Sequence, residues 1–323
     1  MQISRVGFGS WAVGGGDWAM GWGDQDDDKS VAAIRHALAA GVNWIDTAAI
    51  YGLGRSEEVV AKALRGIPKS ERPYVFTKCG LIGDPDNPRA LPAKVGALAS
   101  IRREVEASLR RLETERIDLY QMHWPAADGT PLEVYWQTLL DLKREGKIRA
   151  AGLSNHGLAQ LEAAERLGHV DTLQPPFSAI RREVAEHELP WCVTNHTGVI
   201  VYSPMQSGLL SGGFSQARVD QLPANDWRSR DVEFKEYLQR NLKLAAAFGT
   251  IAKRHGISTP AVAIAWALAW PGVTAAIVGA RSPQQVDGWL EAARFVLSEE
   301  EMQSMAGILR DTGAGAGPLE PAF

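Results

Sequence analysis

Cysteine is scarce in this chain of 323 residues, which has only Cys79 and Cys192. Their spacing matches no metal-ligand motif, and two thiols make no disulfide framework. Charge of one sign is lacking too. A net charge of −4 offers no general attraction to nucleic acid or to an anionic membrane, so any anion site must be local. No apolar run reaches membrane-spanning length, because Ala261–Trp270 is ended by Pro271 and Gly272. A charged-then-apolar leader is also missing, since Met1 leads straight into the strand-like Ile3–Phe8 stretch. These absences lead us to expect a cytoplasmic protein without nucleic-acid or membrane partners.

What is present is ordinary for a globular chain, with 45% hydrophobic and 22% charged residues. The exception is 11 Trp, of which Trp11, Trp18 and Trp22 fall in a Gly-rich stretch after the first strand-like run. Such a cluster either pins down a loop or forms an aromatic wall for a flat or apolar substrate. Strand-like runs occur at Arg5–Gly9, Val42–Asp46, Tyr74–Lys78, Ile117–His123, Arg149–Leu153, Asp171–Gln174, Val199–Ser203 and Thr274–Val278. Helical periodicity lies between them. Ile101, Val105, Leu109 and Leu112 share one face after Ser100 as a cap, while Leu132–Glu145 and Leu158–Leu167 each stop at a glycine.

Eight alternating β and α units predict a (β/α)₈ TIM barrel. A doubly wound open sheet is disfavoured, because no Gly-x-Gly-x-x-Gly follows the first strand and opens a helix. With no break in composition, residues 1–311 are expected to form one domain. The tail Thr312–Phe323, rich in Gly, Pro and Ala, is expected to be a flexible extension. Three stretches exceed simple turns: Ser10–Asp28, Ile82–Ala99 and Gln206–Asp231. Each follows a strand end, and long loops in compact domains are often lids or binding loops.

Four ionisable residues stand at or just past the ends of strand-like runs. Asp46 follows Val42–Ile45, Lys78 closes Tyr74–Thr77, His123 closes Ile117–Met122, and Tyr51 lies five residues after Asp46. In a parallel barrel all strand C-termini open on one face, where barrel active sites lie. Four such groups would converge there. A lone Asp reads as a helix cap and a lone Tyr as packing, but a buried strand-end Lys needs a partner. Cys79, next along the pleat from Lys78, should point the other way and pack.

Asp46-Thr47-Ala48-Ala49-Ile50-Tyr51-Gly52 with Gly54-Arg55-Ser56-Glu57 resembles a signature of the aldo-keto reductase family. Phe76-Thr77-Lys78, Asp118–His123, Gly152-Leu153-Ser154-Asn155, Tyr202-Ser203-Pro204 and Gly279-Ala280-Arg281 follow in the family's order. The resemblance spans about Arg5 to Glu301 and is to a bacterial member. At the level of fold it extends to potassium-channel β subunits. It implies reversible reduction of aldehydes or ketones by hydride from a nicotinamide cofactor, on a small-molecule carbonyl or alcohol. Tyr51 would be proton donor, Lys78 its partner, and Asp46 the residue holding Lys78; His123 would orient the carbonyl. A phenol with a pKa near ~10 needs such help, and a cation beside it favours the phenolate.

The same resemblance places Ser154, Asn155 and Gln174 at the nicotinamide carboxamide and Tyr202 on its ring. The turn Ser203-Pro204-Met205-Gln206-Ser207-Gly208-Leu209 would hold the pyrophosphate. Gly279-Ala280-Arg281, with Gln285, would hold the adenosine end, where an Arg fork suits a 2′-phosphate and favours NADP over NAD. Trp289 stands where many members carry an adenine-binding Asn, leaving only stacking to that position. Trp11, Trp22 and Trp124 are candidate substrate walls. Two other readings stand beside this one: a barrel lyase forming a Schiff base on Lys78, and a cofactor-binding regulatory subunit. Oligomeric state is not legible.

Overall fold

The computed structural model describes residues 1–16, 18–223 and 226–321, so parts of the first and third long loops and the end of the tail lie outside the described residues. Its strands are β1 (Val6–Gly9), β2 (Trp44–Asp46), β3 (Tyr74–Cys79), β4 (Leu81–Ile82), β5 (Ala93–Lys94), β6 (Ile117–Met122), β7 (Ile148–Ser154), β8 (Thr172–Gln174), β9 (Gly198–Val201) and β10 (Val273–Gly279). Eight of them close a parallel barrel in the order β1-β10-β9-β8-β7-β6-β3-β2, the expected (β/α)₈ TIM barrel. The remaining two, β4 and β5, form a small antiparallel pair that the sequence did not suggest, starting at the edge of the second long loop and closing within it.

Between the barrel strands run α1 (Asp27–Ala39), α2 (Arg55–Leu64), α3 (Leu98–Arg111), α4 (Leu132–Arg144), α5 (Leu158–Glu165) and α6 (Glu188–Asn195). After β9 come α7 (Gln216–Asp220), α8 (Leu238–His255) and α9 (Thr259–Leu268), and after β10 come α10 (Pro283–Asp287) and α11 (Glu299–Thr312). Their apolar faces bury the outer side of the strands in one continuous core. None of the described helices is long and apolar enough to cross a membrane.

A strand alternates its side chains, and that alternation builds the site. Trp44, Phe76, Leu119, Ala150, Ile200, Ala275 and Ile277 fill the barrel interior. Gly7 makes room for this layer, since a Cβ there would lie 2.1 Å from the Trp44 ring. Two residues on from Trp44 and Phe76, on the same inner face and at the C-terminal rim, are Asp46 and Lys78. One step out of phase, Cys79 packs into the outer core as expected.

Two local expectations are corrected. Ser100 does not cap its helix: α3 starts at Leu98, with Ala97 at the cap position, and the Ser100 hydroxyl donates to Glu104 at 3.1 Å. The tail is tethered rather than loose. Thr312 ends α11, and Arg182, only 1% exposed, donates to the carbonyls of Ala314 (3.1 Å), Pro318 (2.8 Å) and Gly317 (3.4 Å). Arg181 also forms a parallel bridge with Ala316. A distant buried cation seeking acceptors gives this segment its place, and no composition rule could have located it.

Candidate active site

Lys78 Nζ donates to Asp46 Oδ1 at 2.5 Å and to the Thr47 carbonyl at 2.8 Å, with both charged side chains buried. The second Asp46 oxygen accepts from Gln174 Nε2 at 2.9 Å. The ammonium lies 5.2 Å from the centre of the Tyr51 ring, and the rings of Tyr51 and His123 meet edge to face at 5.7 Å. All four residues singled out in the sequence therefore come together at the strand C-termini.

The loop carrying Tyr51 is held from below. Ser10 donates to the Asp46 carbonyl through both its backbone N–H and its hydroxyl (2.9 Å each), and the Ser56 hydroxyl joins Ser10 (2.8 Å) and Thr47 (2.9 Å). Gly52, at φ 59°, comes so close to the first loop that a Cβ would lie 2.3 Å from the Gly14 carbonyl oxygen, a turn and approach that suit glycine. Behind β3, fully buried Glu57 accepts from Thr77 Oγ1 and Arg111 Nε, both at 2.6 Å. Sequence reasoning marked Ser56 and Glu57 only as part of a motif and missed Ser10 and Arg111. Nothing local ties these residues to the Lys78 strand.

Burial governs the protonation of the site. It pushes the Asp46 carboxyl up and the Lys78 ammonium down, each opposed by its partner's charge. It also drives the His123 imidazole well below its ordinary value, helped by the Lys78 charge, so His123 is neutral near pH 7. For Tyr51, burial and then the Asp46 carboxylate raise the phenol well above its ordinary value. The activation toward phenolate expected from the neighbouring cation is thus outweighed, and the hydroxyl holds its proton.

A cleft of about 460 Å³ opens over these groups. Asp46, Tyr51 and His123 lie on it, as do Ser154, Asn155, Gln174, Tyr202, Ser203, Pro204, Met205, Ser207 and Gly208. Its far end is lined by Gly279, Ala280, Arg281 and Gln285, and its aromatic walls include Trp11, Trp22 and Trp124. Lys78 stays beneath the surface. Its nitrogen is occupied by Asp46 and Thr47, an arrangement unsuited to a Schiff-base nucleophile.

Three side chains depart from expectation. Leu209 is fully buried, and Gln206 turns to Ser178, whose hydroxyl donates to it at 3.2 Å; neither lines the cleft. Leu209 is apolar and follows a turn into the core, so burial wins there. Trp289 is likewise core, 2% exposed, and does not line the cleft. Trp18, Met20, Leu81, Arg218 and Arg228 line the cleft as well. Of these only Trp18 had a signal in the sequence, as one of the clustered tryptophans.

The polar floor is prearranged. Tyr202 Oη donates to Asn155 Oδ1 (2.7 Å), Asn155 Nδ2 to the His123 carbonyl (2.9 Å), and Ser154 Oγ to the Gln174 carbonyl (2.8 Å). Asn155 has φ 61°, and Ser203, Gln206, Ser207 and Gly208 are all left-handed, at 56°, 46°, 54° and 91°. Such strained backbone concentrates at functional sites, and turns of this kind form anion-binding nests. At the far end Arg281 donates from Nε to Gln25 Oε1 (2.5 Å), from Nη1 to the Trp22 carbonyl (3.4 Å), and from Nη2 to the Asp24 carbonyl. Gln25 was not anticipated. Gln285 Oε1 accepts from the Arg281 backbone N–H at 2.7 Å.

A closed α/β barrel with a buried Lys–Asp pair, a protonated phenol and a neutral imidazole on one long cleft has the makings of a proton-transfer enzyme. The aldo/keto reductase family model matches residues 5–310, and the chain belongs to that family. It is 34% identical to the NADH-specific methylglyoxal reductase of Escherichia coli, over 95% of this chain and 96% of that protein. The glycerol dehydrogenase AKR11B4 from Gluconobacter oxydans superposes with a TM-score of 0.88 at 37% identity, covering 100% of this chain and 96% of its own. An aldo/keto reductase from Klebsiella pneumoniae, in complex with NADP and acetate, has a TM-score of 0.70 at 28% identity, covering 95% and 91%.

Proposed function

We propose that the protein is an NADPH-dependent oxidoreductase that interconverts aldehydes or ketones and alcohols, with Tyr51 as proton donor and acceptor. The observation that carries this reading is the buried Lys78–Asp46 pair beneath Tyr51, with neutral His123 against the phenol, on the cleft wall. When bound, the nicotinamide would supply or accept hydride. The chain's own residues handle the proton. Neutral His123 offers an N–H to the substrate oxygen without adding charge, and the Tyr51 hydroxyl delivers its proton as negative charge develops there. Lys78, fixed by Asp46, stabilises the phenolate left behind, and Gln174 holds the other oxygen of that carboxylate.

The cleft fits a dinucleotide in its chemistry. Ser154 and Asn155 present amide-matching groups, Tyr202 an aromatic face, the 203–208 turn a run of left-handed backbone, and Arg281 a cation at the far end. Among the relatives, one is NADH-specific and one binds NADP. We favour NADPH because the partners found for the Arg281 side chain are uncharged oxygens, which a phosphate would outcompete.

The test is absorbance at the nicotinamide band with a panel of aldehydes, ketones and secondary alcohols, run with NADPH and NADH. Tyr51→Phe should keep nucleotide binding and lose ~10²–10⁴-fold in rate, the usual worth of one positioned general acid. Full activity in a folded Tyr51→Phe protein would overturn the assignment, as would a panel with no turnover at all.

A further inference from the structure

Arg281 has a second occupation besides the phosphate grip that the cofactor reading gives it. Residues 21–26 form neither helix nor strand, and backbone hydrogen bonds tie them at the ends, from Gly21 N–H to the Trp18 carbonyl and from Ser30 N–H to the Asp26 carbonyl. Arg281 binds this segment at three points, the Gln25 side chain and the carbonyls of Trp22 and Asp24. Gln25 closes the clasp, donating to Ser30 Oγ at 2.9 Å and to the Arg281 carbonyl at 3.2 Å.

From there a line of rings leads to the proton donor. The Trp22 indole meets Trp11 edge to face at 5.3 Å, and Trp11 stacks on Tyr51 at 6.2 Å. Across the mouth, Trp22 also touches Trp227 at 6.1 Å and lies 4.9 Å from the Arg228 guanidinium. Trp22 and Trp11 both line the cleft, so the Arg281 clasp holds one of its walls.

Resting on the cofactor reading above, we propose that the 2′-phosphate of NADP(H) and the Trp22 segment compete for Arg281. The phosphorylated nucleotide would then loosen the substrate wall, while NADH leaves it clasped. The physical ground is charge. A phosphate brings full negative charge to the guanidinium, which the neutral amide and carbonyl oxygens it holds here lack, and the fork geometry suits two phosphate oxygens. A guanidinium gripping phosphate bidentately has fewer N–H groups left for Gln25 and two carbonyls. Arg281 is in this sense a positioning residue for the substrate pocket as well as a nucleotide contact. Linkage makes the effect reciprocal, so a ligand that packs on Trp22 in its clasped position should weaken NADPH binding and spare NADH.

Hydrogen exchange of the peptide covering residues 18–26 reads this directly. NADPH, and adenosine 2′,5′-bisphosphate as a probe of the phosphate alone, should speed exchange about tenfold, the worth of about one net hydrogen bond. NADH and AMP should leave it unchanged. In Arg281→Ala the segment should exchange fast with every nucleotide and with none, and the substrate KM measured with NADH should shift while kcat moves less. A role confined to gripping phosphate would leave NADH kinetics untouched. Equal exchange with bound NADPH and bound NADH, or slower exchange with NADPH, would overturn the competition alone. Failure of both nucleotides to bind, seen as no quenching of tryptophan emission, would remove the cofactor reading and the competition with it.

Discussion

Replacing Lys78 by Met removes the cation from a pair whose two side chains are 0% and 3% exposed, leaving the Asp46 carboxylate buried with Gln174 as its remaining side-chain donor. Breaking a buried pair on one side costs ~3–5 kcal/mol, because the survivor's charge is uncompensated. The double variant Asp46→Asn, Lys78→Met removes both charges and should regain most of that loss, since neutral replacements of buried pairs are often nearly cost-free. Acidity separates the two further. Burial already pushes the Asp46 carboxyl up, and without Lys78 nothing charged opposes it. A carboxyl raised in the folded state binds a proton that the unfolded chain releases above about pH 3.9. Its contribution is full below that value and is lost as pH rises toward the folded pKa, by up to ~1.4 kcal/mol per unit. Urea denaturation at pH 5 and pH 8 should therefore show the single variant falling further behind the double variant at pH 8. Carbonyl reduction should drop at least ~10²-fold in both. A stability gap independent of pH would refute the desolvated pair, and a double variant with wild-type turnover would refute the role given to Lys78.

Other consequences concern stability away from the cleft. His156 donates from Nδ1 to the Ser154 carbonyl (2.8 Å) and accepts at Nε2 from Tyr135 Oη (2.9 Å), and burial lowers its pKa to about 4. The unfolded chain takes up that proton below ~6.5, so stability present above 6.5 should be lost between there and about 4. The loss, about 3 kcal/mol, should shrink in a His156→Gln variant, and thermal melts across that range that match for both proteins would count against it. Arg182→Met should free residues 313–321, leaving three of their carbonyls without the guanidinium. Limited proteolysis should then cut the C-terminal segment well before the barrel, and an unchanged digestion pattern would show that the segment is held by other means.

Much of the architecture was legible in the chain itself. All eight barrel strands fall within about two residues of where apolar runs alternate with helical periodicity. Asp46, Lys78 and His123 could be placed at strand ends because period-two alternation and a parallel barrel leave few other positions. The Ser100 cap failed for a local reason, since α3 starts two residues earlier at Leu98 and Ser100 lies inside its first turn. The tail failed for a distant one, since Arg182 lies more than a hundred residues earlier.

Pattern and residue type determined the barrel, the rim on which the ionisable groups stand and the family to which the chain belongs, because these depend on periodicity and motifs that are local along the chain. Tertiary structure alone decided which charges are shielded from water, and hence that Tyr51 stays protonated and His123 neutral. It alone brought Gln174 to Asp46, 128 residues away, and Arg281 to Gln25, 256 residues away. It also put Trp289 in the core rather than on the cleft. Desolvation and long-range hydrogen bonding depend on what surrounds a group in space, and no window of sequence contains that.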